Sequence, residues 1–110
     1  MSALDAVIHA EGRLRIVANL AKLNAGESIA FPVLQDALAM TAGNLSTHLR
    51  RLEEAGYVVI EKTHRGRTPV TYLALTVRGR RAFEDYRGEL QAMLDGDPGA
   101  ASPPGARMEA

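Results

Sequence analysis

The stretch Thr41–Val58, TAGNLSTHLRRLEEAGYV, decides how this chain is read. Thr41 is a good N-cap, Gly56 a helix stop, and the residues between them fit a helix over 42–55. At about 100° per residue, Leu45, Leu49 and Leu52 fall within one narrow arc and must face a core. Opposite them stand Gly43, Thr47, Arg50 and Glu54, with Asn44 and Arg51 on one flank, Ser46 on the other and His48 at the border. Solvation alone would favour Glu and Lys on such a face. Hydrogen-bonding side chains with Arg are the groups that read base edges and hold phosphates: Arg pairs with guanine, Asn with adenine, and Ser or Thr with either bases or phosphate oxygens.

The elements around this helix are consistent with that use. Upstream, Leu4, Val7 and Ile8 have helical spacing, as do Leu14, Ile16, Val17, Leu20 and Leu23. Glu11-Gly12 is expected to break the two apart, and Asn24-Ala25-Gly26 to end the longer one. The segment GESIA fits a short strand or a merely extended lead-in. Phe31 to Met40 reads as a further helix with Pro32 in its first turn and Phe31, Leu34 and Leu38 facing inward.

Downstream, YVVIEKT (57–63) and TPVTYLALT (68–76) are rich in β-branched and aromatic residues. His64-Arg65-Gly66-Arg67 joins them, so they are predicted to form a hairpin with a basic tip, Pro69 marking the second strand as an edge. Thr76 then caps a last helix running to about Asp95, with Phe83, Tyr86, Leu90 and Met93 or Leu94 along one stripe. A terminal stripe of this kind needs a partner. Together with Leu4 and Ile8 it is the expected interface between two copies of the chain. The Pro-, Gly- and Ala-rich end, 96–110, has no periodicity and is expected to be a disordered tail behind one domain, 1–95.

Composition narrows the function classes. There are no Cys in the 110 residues, which excludes disulfides, thiolate zinc sites and cysteine redox chemistry. The three His are not at ligand spacing, and no Gly-rich phosphate loop or catalytic constellation is present, so neither an enzyme nor a cofactor or metal site is expected. No apolar run is long enough for a bilayer and no signal-peptide core stands at the start, so a cytoplasmic protein is expected. The net charge is zero, yet the charge is unevenly placed: residues 48–81 hold eight Lys and Arg against three acids, whereas 82–110 hold two against six. The basic block begins inside the 42–55 helix and takes in the hairpin tip.

Two helices, a tight connection, a third helix and a hairpin form a winged helix-turn-helix, mainly α with a small β-hairpin. LSTHLRRLEEAGYV followed by YLALTVRGRRAF resembles the winged-helix transcriptional regulators of the MarR and ArsR type, especially the small stand-alone MarR-like group. The residues that carry the resemblance are Asn44, Leu45, Ser46, His48, Leu49, Leu52, Glu53, Gly56, Tyr57 and Val58, then Tyr72, Leu75, Thr76, Gly79, Ala82 and Phe83. It implies a homodimeric repressor or activator that binds double-stranded DNA and dimerises through its terminal helices, with the effector left unassigned. The candidate DNA contacts are Asn44, Ser46, Thr47, His48, Arg50 and Arg51 on the helix, and Arg65, Gly66 and Arg67 in a wing over 63–68. The competing reading is a winged-helix adaptor that binds protein, which would call for an apolar outward face on the 42–55 helix.

Overall fold

A computed structural model of the chain describes residues 4–96; the tail expected beyond Gly96 lies outside the described residues. Four helices and three strands follow in the order α1 (Glu11–Leu20), β1 (Ile29–Ala30), α2 (Phe31–Leu38), α3 (Ala42–Glu54), β2 (Val58–Arg65), β3 (Thr68–Leu75) and α4 (Val77–Leu94). All strand pairs are antiparallel, and the sheet order is β1-β3-β2. The winged helix-turn-helix predicted from the element order is the fold observed.

The core is one cluster. Ile16, Val17 and Leu20 of α1, Leu34 and Leu38 of α2 and Leu45, Leu49 and Leu52 of α3 meet Val58 and Leu73 of the hairpin, all buried. The apolar stripes of α1, α2 and α3 read from the sequence therefore point into this core. Thr41 accepts a hydrogen bond at 3.1 Å from the Asn44 amide and so caps α3, while Thr76 caps α4 by accepting from the Gly79 amide at 2.8 Å. Gly56 closes α3 with φ 80°, a left-handed conformation that only Gly adopts without strain.

Several local expectations are corrected. Residues 4–8 do not form a helix: 6–8 make a turn, closed by the Asp5 carboxylate, which accepts from the amides of Val7 (2.8 Å) and Ile8 (3.3 Å). Nor does Glu11-Gly12 interrupt anything, because α1 begins at Glu11 and runs through Gly12. α1 ends at Leu20, ahead of the Asn24–Gly26 stop, and turns lead on to β1, which settles GESIA as a strand of two residues. α2 stops at Leu38, where Ala39 takes the left-handed conformation (φ 54°) usually left to Gly and sharpens the turn into α3. Strand β3 is the central strand of the sheet and not an edge. Pro69 is tolerated because β1 reaches only Tyr72 and Leu73, so Pro69 has a strand neighbour on one side alone, His64.

Candidate nucleic-acid interface

The outward face of α3 is polar along its whole length. Gly43, Asn44, Ser46, Thr47, Arg50 and Arg51 are all exposed, and no atom lies within 4 Å of the place a Cβ on Gly43 would take. The helix is held from behind by its buried leucines, so this face is presented rigidly and its side chains have no structural task.

Arginines elsewhere in the fold do have one. Arg15 of α1 donates from Nη2 to the Leu38 carbonyl at 2.5 Å, closing the C-terminal end of α2 where the chain turns towards α3. Arg80 of α4 donates from both Nη atoms to the carbonyls of Ala21 (3.2 Å) and Leu23 (3.1 Å), which follow α1. Arg13 donates to the Val7 carbonyl, and the Arg78 guanidinium lies 6.0 Å from the ring centroid of Tyr57. Arg87 pairs with Glu84 at 3.1 Å. Arg50, Arg51 and Arg67 have no ion pair or hydrogen bond among the described residues. Of the arginines expected to meet DNA, Arg50, Arg51 and Arg67 are thus left unspent by the fold and Arg65 bonds to Tyr72, whereas Arg80, in the Arg78–Arg81 run, is held inside the structure.

The wing is tighter than predicted. β2 continues through Arg65 and β3 starts at Thr68, so only Gly66 and Arg67 form the turn, with Gly66 at φ 66°. Side chains alternate faces along a strand. Val58 and Ile60 point to the core, which puts Lys62 and His64 on the side of α3 and Arg65 on the opposite side with Tyr72. There Arg65 donates to the Tyr72 hydroxyl at 2.9 Å, which fixes its guanidinium beside the hairpin tip.

His48 is placed away from the outward face. Its ring lies against Gly12 of α1, where a Cβ would stand 2.4 Å from Nε2, and its Nδ1 is buried without a hydrogen-bond partner. The missing side chain at Gly12 is what lets the ring in, so this Gly serves packing against α3 and not a helix break. The expected DNA contact at His48 therefore drops out of the candidate set. Lys62 and Thr71, which no motif in the sequence marks, line a cleft between α3 and the hairpin with Ser46 and Arg50. A signal for Lys62 was available: it continues the inward register of Val58 and Ile60 with a cation.

Of the residues expected at a subunit interface, Ile8 and Tyr86 are already buried within the single chain, at 0% and 2% exposure, and His9 Nδ1 lies 2.8 Å from the Tyr86 hydroxyl. Leu4, Phe83 and Leu90 are half-buried, Phe83 against the core, while Met93 and the alternative end of the stripe, Leu94, are both exposed. No helix among the described residues is long and apolar enough to cross a membrane.

A family model described as a winged helix DNA-binding domain matches residues 13–94, which covers α1 to α4. An uncharacterised protein of Methanocaldococcus jannaschii is 39% identical over 79 residues, 71% of this chain and 82% of that protein. Among solved structures, a transcriptional regulator homologue from Pyrococcus horikoshii superposes with a TM-score of 0.75 at 30% identity, covering 82% of this chain and 86% of that one. A PadR family transcriptional regulator from Eggerthella lenta gives a TM-score of 0.64 at 26% identity, over 78% and 79% of the two chains. By the span that the family model matches, the chain belongs to the winged helix DNA-binding domain family, and its fold is that of MarR- and PadR-type transcriptional regulators.

Proposed function

We propose that the protein is a sequence-specific regulator of transcription that binds double-stranded DNA as a homodimer in the cytoplasm. The observation that carries this reading is the exposed face of α3, whose Asn, Ser, Thr and Arg side chains are left unused by a fold that employs most of its other arginines. In this reading the N-terminal part of α3 enters the major groove, with Asn44, Ser46 and Thr47 towards base edges or phosphate oxygens and Arg50 and Arg51 towards guanine or the backbone. Gly43 permits close approach. The wing, through Arg65, Gly66 and Arg67, lies on the backbone or in the minor groove, and pinning Arg65 to Tyr72 lowers the entropy it loses on binding. The dimer forms through Leu4, Leu90, Met93 and Leu94 near the chain's two ends.

The test is binding to the duplex upstream of the protein's own gene across a salt series, for the native chain and an Arg65→Ala, Arg67→Ala double variant. Saturable binding of two chains to a palindromic site, with a shallower salt slope in the variant, is the expected result. Binding no tighter than to random duplex, with the variant unchanged, would remove the regulator reading and put the protein-binding adaptor in its place.

A further inference from the structure

The hairpin carries a polar anomaly on its inner face. Along β2 the inward positions run from buried Val58 through half-buried Ile60 to exposed Lys62; along β3 they run from Leu75 and Leu73 to Thr71. Lys62 and Thr71 are direct partners across the ladder. A face that packs on helices is expected to stay apolar. Here it turns into an ammonium and a hydroxyl beside α3, where a cleft of about 660 Å³ opens between the helix and the hairpin.

The cleft has two kinds of wall. Phe31, Leu49 and Ile60 give it apolar surface, and Ser46 and Arg50 of α3 face Lys62 and Thr71 of the hairpin. Neither Arg50 nor Lys62 has an anionic partner among the described residues, although Glu53 also lines the cleft. A sugar-phosphate strand has the matching character, alternating carbon-rich rings with anions. Resting on the DNA-binding reading above, we infer that this cleft seats one strand of the duplex, with Lys62 and Thr71 joining Ser46 and Arg50 as its phosphate contacts. The strand bridges the base-reading helix and the wing, so both engage the duplex in one register. Glu53 repels phosphate at the cleft and limits how tightly the strand is held.

Lys62→Ala, Thr71→Val and Glu53→Gln variants, measured beside the native chain on the upstream duplex and on random duplex across salt, test this. Lys62→Ala is expected to reduce the salt slope by about one per bound chain, about two for the dimer, and to weaken both duplexes by the same factor, because a phosphate contact carries no sequence information. Thr71→Val weakens both equally but less, and Glu53→Gln tightens both. In phosphate-ethylation interference, one phosphate in each half-site that blocks the native chain when modified becomes neutral for Lys62→Ala. All three side chains are exposed or half-buried, so unchanged thermal unfolding is expected and separates binding from folding. Should Lys62→Ala match the native chain in affinity and slope while the Arg65, Arg67 double variant is weakened, the cleft is empty in the complex and the inference falls, with the regulator reading intact. A loss confined to the upstream duplex would make Lys62 a base contact and overturn the phosphate assignment. No DNA binding by the native chain would overturn both.

Discussion

Glycines in this chain differ most at the scale of single atoms. A Cβ at Gly79, in the first turn of α4, would stand 2.1 Å from the Tyr57 carbonyl oxygen, a backbone atom held in place by the Thr76 amide at 3.0 Å. Gly88, further along the same helix, has nothing within 4 Å. The same substitution should therefore change sign between them. Gly79→Ala is expected to destabilise by about 3 kcal/mol through overpacking, and Gly88→Ala to stabilise by about 0.5–1 kcal/mol through helix propensity. Urea midpoints for the two variants check this, and equal shifts would mean that α4 does not sit on Tyr57 as described. Gly12 differs from both, because the atoms a Cβ there would meet belong to the His48 side chain and not to backbone.

Between elements, the joint after α3 gathers the tertiary ties. Tyr57 donates its hydroxyl to the Asp5 Oδ2 at 2.5 Å, so the N-terminal turn, the end of α3 and the start of β2 meet at one residue. Burial, then the hydrogen bond and charge of Asp5, push the Tyr57 hydroxyl up to about 12 against the opposing pull of Arg78. A pKa raised above the ordinary 10.0 means that the neutral phenol is the form that stabilises the fold. Its contribution is complete below pH 10 and is lost as pH rises through about 12. Tyr57→Phe should cost about 1 kcal/mol near neutrality, and the difference from the native chain should close between pH 10 and 12. Thermal unfolding of both proteins over that range measures it; a constant difference would show that the phenol is not tied to Asp5. Ties of this kind explain what the sequence hid. Leu45, Leu49 and Leu52, the two Thr caps and the hairpin follow from local spacing and were legible. The Asp5 turn, the Arg80 caps and the seat of His48 on Gly12 join residues far apart in sequence, and no periodicity announces them. The exposed face of α3 was legible because its residues answer to no tertiary partner, while Lys62 was passed over because a cation near a hairpin tip looks like ordinary solvation.

For the whole molecule, the question is what the ends of the chain do. Ile8 and Tyr86 are absorbed by the protomer's own core, so the stripe read as a subunit contact is shorter than its spacing implied and shifts towards the C-terminal turns of α4. There Met93 and Leu94 are 60% and 72% exposed, large apolar side chains with no cover from the described residues. A paired arrangement would bury them and set two α3 helices facing successive major grooves about 34 Å apart. Because both side chains are exposed within the protomer, a Met93→Glu, Leu94→Glu double variant should change protomer stability by no more than about 0.5 kcal/mol per site. It would, however, place four carboxylates at the dimer contact. Sedimentation is expected to show a dimer for the native chain and a monomer for the variant. On DNA, the variant should bind a palindromic duplex no better than a single half-site, because each half then binds alone and the gain from linking two sites is lost. A variant that stays dimeric would move the interface away from the end of α4, and a native chain that sediments as a monomer would remove the paired-helix geometry while leaving the α3 face as the surface that meets DNA.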